Sequence, residues 1–290
     1  MKKRASIVAA TQNFRGGLRD EEKIEEMILQ MRRQCINIVC GQESGLANEF
    51  AVKRWDTGEM LISCGKNGSN RKKAAGCYFL DAEMAEAYIK GGSKMTRHGD
   101  RLSTIVLPLR KRNLVVVNSH FPDSAAKKRM EMKGYRNKVD GVLKRVKKRD
   151  LLLWMGDFNA STGVAPDADD AVSGPFGNPH TNAAGRELKN TAAMYGLKDL
   201  VTFFPAKGEG TWVHPRSKLW HQIDRVFMRG TDMGLVKKCG NAHMLVDSDH
   251  FSVRVNLYVE RPAKSTPTRR QLMTKRDIDG AFGRGVEIEK

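Results

Sequence analysis

No apolar run in this chain approaches the roughly 20 residues that a bilayer crossing requires. The stretch Ile7 to Ala10, although it follows Met1, Lys2, Lys3 and Arg4, is too short for the apolar segment of a secretion signal. An intracellular protein is the expectation. Cysteine is sparse and unpatterned: Cys35, Cys40, Cys64, Cys77 and Cys239 are odd in number and contain no C-x-x-C pair. That disfavours both a disulfide framework and a thiolate zinc site, and points to reduced, structural thiols. No internal repeat is visible, and no linker rich in proline and glycine interrupts the chain before about Glu260. From Arg261 to Lys290 the character changes to Pro262, Pro267 and scattered basic residues, so the expected organisation is one domain over 1–260 and a basic tail or linker over 261–290.

Acidic residues are in deficit. Against 51 Lys and Arg stand only 33 Asp and Glu, a net charge of +18, enough to attract a polyanion over several screening lengths. Half of the excess is local: Lys127 to Arg149 holds 11 Lys or Arg against Glu131 and Asp140. Met132, Tyr135, Val139, Val142, Leu143 and Val146 recur there at helical spacing, so the segment reads as a helix with one core face and one basic face. A solvated helix surface is the bland alternative; the density of charge favours phosphate contact.

With 40% hydrophobic residues over 290 positions the chain can bury a large core. Short runs rich in β-branched residues read as strands: Ser6 to Ala10, Ile36 to Cys40, Gly76 to Leu80, Ser103 to Leu107, Leu114 to Asn118, Leu151 to Met155, Gln222 to Met228 and Ser252 to Val259. Helical periods lie between some of them, at Asp20 to Gln34 and Arg186 to Tyr195. The class is mixed α/β, with strands too numerous and irregularly connected for a plain β-α repeat.

Polar, chemistry-bearing residues close these runs. Asn13 ends the first, Gln42 and Glu43 the second, His120 follows Leu114 to Ser119, Asp157 and Asn159 follow Leu151 to Met155, Asp224 sits in His-Gln-Ile-Asp, and Asp249 and His250 precede the last strand. Strand ends are rigid mounts, so groups from several strands can converge on one point. Converging carboxylates repel one another unless a cation neutralises them, and a set of Glu, Asp and Asn suits a hard ion such as Mg2+, or Mn2+, better than Zn2+. Taken singly each piece has a plain alternative. Gly41-Gln42-Glu43 fits a helix start or turn, Gly156-Asp157-Phe158-Asn159 a turn, Ser248-Asp249-His250 a cap, Asn13 a turn residue and His120 a core histidine. Asp224 in an apolar strand needs a partner, and a histidine is the natural one.

In that order the motifs resemble, over about residues 5 to 259, the endonuclease/exonuclease/phosphatase superfamily that contains DNase I, abasic-site endonucleases, neutral sphingomyelinases and inositol polyphosphate phosphatases. The resemblance implies a four-layer α/β sandwich of two packed mixed sheets flanked by helices, with one active site at an edge. A narrower set, Gly174-Pro175-Phe176-Gly177, Asn182, Gly185, Arg186-Glu187-Leu188, Leu197, Phe203-Phe204, Thr211-Trp212 and His221-Gln222-Ile223-Asp224, is similar to endonuclease domains of non-LTR retrotransposons, in particular RTE-type elements and the craniofacial development protein 2 group. Arg269 to Phe282 is similar to the basic segment that leads there toward a reverse transcriptase.

The resemblance implies that Glu43 ligates Mg2+ with Asn13 and Asp249 in support, that Asp157 orients or deprotonates water, and that Asn159 steadies the phosphate. His250, held by Asp224, would stabilise the charge that grows on the phosphate. Arg101, Asn182 and Trp212 are the expected substrate contacts, against a strand-edge charge for Arg101 and a core aromatic for Trp212. DNA is the expected partner, the chain a monomer, the compartment the nucleus, and the products 3′-hydroxyl and 5′-phosphate ends. Departures are His120 where abasic-site and most retrotransposon enzymes carry Tyr, Gln12 where Trp is common, and Arg225 where Tyr often follows Ile-Asp. A histidine protonates a leaving oxygen near neutral pH more readily than a phenol, so general nicking is expected over abasic-site processing. The loops Asp56 to Lys73 and Ala165 to Thr181 are the candidates for target choice. Two other functions stand against nicking: a phosphoesterase of the same fold acting on inositol phosphate or phospholipid, and an inactive binder of nucleic acid or chromatin.

Overall fold

The computed structural model describes residues 6–18, 20–54, 56–65, 76–123, 129–165, 170–205, 208 and 210–260. In chain order these form β1 (Ser6–Asn13), α1 (Glu21–Arg33), β2 (Ile38–Gln42), β3 (Glu49–Lys53), β4 (Met60–Cys64), β5 (Cys77–Leu80), α2 (Ala82–Lys90), β6 (Thr96–Gly99), β7 (Leu102–Pro108), β8 (Asn113–His120), α3 (Arg129–Arg145) and β9 (Leu151–Asp157). There follow α4 (Ala183–Met194), β10 (Leu197–Asp199), β11 (Trp212–Val213), β12 (Trp220–His221), β13 (Asp224–Arg229), β14 (Val236–Ala242) and β15 (Ser252–Tyr258). All eight expected strands form. Of those not foreseen, β3, β6 and β14 are half-exposed and polar, so their apolar alternation is weak.

Two sheets result. One runs β14-β15-β1-β2-β5-β4-β3 and the other β10-β13-β9-β8-β7-β6, each with a single parallel pair, β1 with β2 and β8 with β9. Alternate residues of the two sheets meet in one core: Ile7, Ala9, Ile38, Tyr78 and Val255 from the first face Ile105, Val116, Leu153, Met155 and Val226 from the second. The outer face of the first sheet is covered by α1 through Ile24, Met27, Ile28 and Met31. On the outer face of the second lie α3 and α4, through Tyr135, Val139, Val142, Leu143, Leu188 and Ala192, against Val117, Trp154 and Phe227. This is the four-layer α/β sandwich. No helix among the described residues is long and apolar enough to cross a membrane. All five cysteines are free, and burial holds the thiols of Cys40, Cys64, Cys77 and Cys239 above their usual range.

Two expectations change. The loop Asp56 to Lys73 is not all loop, because Met60–Cys64 pairs as a buried central strand; 66–73 lie outside the described residues, as do 166–169 of the second loop, Lys127 and Lys128, Met1 to Arg4, and the tail over 261–290. The basic helix also divides. Because β8 and β9 are parallel, α3 leaves the edge where β8 ends and returns about 25 Å to the edge where β9 begins. Lys144, Arg145, Lys147, Lys148 and Arg149 therefore lie toward the edge opposite His120, and only the first half of the helix stands beside it. Within the basic face Arg136 pairs with Glu187 and Lys144 with Asp140.

Candidate active site

Strand direction gathers the polar residues. β1 and β2 are parallel and end at Asn13 and Gln42, with Glu43 next; β8 and β9 are parallel and end at His120 and Asp157. Antiparallel partners start where those end, so Asp224 opens β13 directly opposite Asp157, and His250 precedes β15, the neighbour of β1. All lie at one edge. Gly156 is obligatory there: its φ of 149° is in the glycine region, and a Cβ would sit 1.8 Å from the Ser119 carbonyl oxygen. Arg15, Glu43 and Asn159 also take positive φ, at 52°, 46° and 47°, a local backbone cost of the kind that collects at functional sites.

The side chains meet across the gap between the sheets. Asn13 Nδ2 donates to Asp157 Oδ2 at 3.0 Å and to Glu43 Oε1 at 3.4 Å. His250 Nδ1 is 2.9 Å from Asp224 Oδ2, and His120 Nε2 is 3.3 Å from Glu43 Oε1 and 4.0 Å from Asp157 Oδ2. Beneath them Gln42 Nε2 donates to Asn118 Oδ1 at 2.8 Å, while Asn118 Nδ2 donates to the Gly41 and Cys77 carbonyls at 3.0 and 3.1 Å, joining the sheets by a buried polar bridge. The Asp157 carboxylate is oriented further by the Asn159 amide N–H at 2.9 Å, and Thr211 Oγ1 accepts the N–H groups of Ile223 and Asp224. Asn159 spends one side-chain N–H on the Phe121 carbonyl at 2.8 Å.

Burial and crowding set the protonation. Burial raises the Asp157 carboxyl above its ordinary range, and the charge of Asp224 adds to it. Burial also raises Glu43, with a hydrogen bond from Asn13 opposing and the Asp157 charge reinforcing. For His250 burial disfavours the cation, yet the Asp224 carboxylate more than compensates and carries the imidazole to about 9.

The remaining expected residues fall at different distances from this centre. Arg101 lies on it: Nη1 is 3.2 and 3.3 Å from the two His120 ring nitrogens, and its carbonyl accepts from His120 N and Tyr135 Oη. Trp212, on the β11–β12 ribbon, bridges to His250 with ring centroids 6.3 Å apart. Asp249, expected beside a metal, turns its Oδ2 to Arg15 Nη1 at 3.1 Å and Trp212 Nε1 at 3.2 Å. Asn182, expected at the substrate, caps α4, its Oδ1 accepting from Gly185 N at 2.7 Å and Ser161 N at 3.3 Å. Arg225, which departs from the family pattern next to the site, is buried on the far face of β13. Sequence reasoning missed Asn118, Thr211 and Arg15. Asn118, one of the run of strand residues ending at His120, is a polar residue where the alternation calls for apolar, and that was its one signal.

The oxygen-rich donor set fits a hard divalent cation. Among the described residues, ligand atoms of Asp157, Asp224 and His250 all lie within 4.8 Å of one another. Asp224 Oδ1 is buried without a hydrogen-bond partner, and burial together with the charge of neighbouring carboxylates raises Glu43 and Asp157 above the ordinary carboxyl range. A cation would relieve both conditions.

No protein-family model matches the chain, and no curated protein matches its sequence. Solved structures do. The endonuclease domain of TRAS1, a telomere-specific non-LTR retrotransposon, superposes with a TM-score of 0.59 at 14% identity, over 89% of this chain and all of that one. The AP endonuclease LMAP from Leishmania major gives 0.63 at 14% identity over 87% and 88% of the two chains. An endonuclease/exonuclease/phosphatase family protein from Leptotrichia buccalis gives 0.53 at 17% over 86% and 98%. The fold is therefore the DNase I-like sandwich of the endonuclease/exonuclease/phosphatase proteins. Within that fold, this chain is similar to retrotransposon and abasic-site endonucleases.

Proposed function

We propose that this chain is a metal-dependent endonuclease that hydrolyses DNA phosphodiester bonds, leaving 3′-hydroxyl and 5′-phosphate ends. The observation that carries the reading is the convergence of Asn13, Glu43, His120, Asp157, Asp224 and His250 from both sheets, joined by hydrogen bonds across the gap. Glu43, with Asn13 beside it, would hold Mg2+ or Mn2+, which when bound supplies positive charge against the phosphoryl oxygens. Asp157, fixed through both oxygens and more basic than an exposed aspartate, orients a water in line and takes its proton. The His250 imidazolium, charged at neutral pH through Asp224, faces the phosphate and offsets the charge of the transition state. His120 protonates the departing 3′ oxygen, and Arg101 contacts the phosphate beside it; the approach of the two side chains to each other and of His120 to Glu43 supports this. Asn159 steadies a phosphate oxygen, and Trp212 forms a wall for a displaced nucleotide.

DNA as substrate draws support from the net charge of +18 and from Lys133 and Lys138 on the stretch of α3 beside Arg101. The retrotransposon-like motifs and the likeness to the TRAS1 domain support a target-nicking role, and a free 3′-hydroxyl suits priming by a polymerase. The nucleus is the compartment this role implies. Supercoiled plasmid should convert to open circles with Mg2+ and not with EDTA, and Glu43→Ala and His250→Ala should each lower the rate by about 100-fold or more. Hydrolysis of an inositol phosphate without nicking would move the reading to a small-molecule phosphoesterase. Plasmid binding without turnover of either substrate would make the chain a binder.

A further inference from the structure

β13 presents Asp224 to the active site and, by strand alternation, turns Arg225 to the other face of the sheet. That guanidinium is almost wholly buried, at 1% exposure, as is its partner Asp199 at 0%. Its hydrogen bonds fan out to three separate segments. Nη1 pairs with Asp199 Oδ2 on β10, Nε donates to the Ala160 carbonyl at 3.3 Å, and Nη2 donates to the Gln222 carbonyl at 2.7 Å. Ala160 directly follows Asn159, and Gln222 lies two residues before Asp224, with its own side chain bonded to the Asp224 carbonyl at 2.7 Å. Thr162 Oγ1 donates at 2.8 Å to the same Asp199 oxygen, so β10 also holds the far end of the turn that begins at Asp157.

The cluster is poorly explained as a source of stability. Burying two charges costs several kcal/mol per ion, and apolar replacements of such pairs are often as stable. Asp199 Oδ1 has no hydrogen-bond partner, and its other oxygen serves both Arg225 and Thr162. What a planar, three-directional donor offers here is geometry: it holds two backbone carbonyls at a set separation, as a single-point cation cannot.

We propose that Arg225 is a positioning residue, whose guanidinium sets the spacing between the Asp157–Asn159 turn and the Asp224–His250 pair. The proposal rests on the nuclease reading above. Arg225→Lys keeps the charge opposite Asp199 but cannot bond both carbonyls. It should fold, with kcat for plasmid nicking down about tenfold and KM within about twofold, since misplacement of reacting groups lowers turnover more than binding. The Asn159 side-chain amide and His250 ring nitrogen NMR signals should shift with it. Arg225→Gln, and Asp199→Asn/Arg225→Gln with both charges removed, complete the set; a folded double variant that stays slow supports the clamp. The proposal is overturned by wild-type kcat with unmoved NMR signals in Arg225→Lys or the double variant, by a change in KM alone, or by failure of all three variants to fold, which would make Arg225 a core ion pair only. If the wild type does not nick, the nuclease reading fails separately, while the NMR signals still report whether Arg225 holds the two segments.

Discussion

At the scale of single residues, the site trades stability for chemistry. The folded state holds the Glu43 proton more tightly than an unfolded chain does, so at pH 7 the ionised side chain is a cost to the metal-free fold. Glu43→Gln should raise the Tm in EDTA while abolishing nicking; a lower Tm would show that the carboxylate's bonds with Asn13 and His120 outweigh its burial. His250 has the opposite sign. Its pKa is raised from 6.5 to about 9, so its contribution to stability is complete below about pH 6.5 and is lost as pH rises through about 9. Urea midpoints in EDTA for wild type and His250→Gln should differ most at pH 6 and converge by pH 10. A gap that stays constant with pH would mean that the Asp224 interaction is not ionic.

At the scale of elements, α3 is one helix with two environments. Its stretch from Met130 to Lys138 lines a crevice with Gly99 and Arg101 beside the site, and its last turn points to the opposite edge. Lys133→Glu/Lys138→Glu should weaken plasmid binding and flatten its dependence on salt, by about one in the log–log slope for each phosphate left without its lysine. The same reversal at Lys147 and Lys148 should leave that slope nearly unchanged. Equal effects at both ends, measured by binding titrations from low to high salt, would show that the field of the whole molecule, and not the helix beside the site, attracts DNA.

At the scale of the whole molecule, the candidate site exists only because two sheets are held in register. Asn118 does this from the second sheet by bonding Gln42 and two carbonyls of the first. Asn118→Leu deletes three buried hydrogen bonds, at about 0.5–1.5 kcal/mol each, and leaves Gln42 Nε2 only Thr11 Oγ1 and the Cys40 carbonyl. Chemical denaturation should show a loss of several kcal/mol, with nicking reduced at temperatures where the variant remains folded, because Glu43 and His120 lose their common frame. A variant as stable and as active as the wild type would remove the bridge from the account.

The strands that carry the site were legible in the sequence because the interior of a sandwich demands β-branched, apolar runs, and Ile36 to Cys40 or Leu151 to Met155 satisfy little else. The polar residue closing each run was legible for the same reason, since Asn13, Glu43, His120 and Asp157 interrupt apolar segments. What the sequence could not decide was mutual position. Asn182 became a helix cap, Asp249 turned toward Arg15 and Trp212, and half of a uniformly basic helix faced away from the site. Arg225, a departure from pattern on paper, became a buried guanidinium bonded to Asp199 and to the backbone beside Asn159 and Asp224. Local pattern records whether a side chain is buried and how often it recurs along one element; the direction of each strand and the packing of one sheet on the other decide which distant side chains meet.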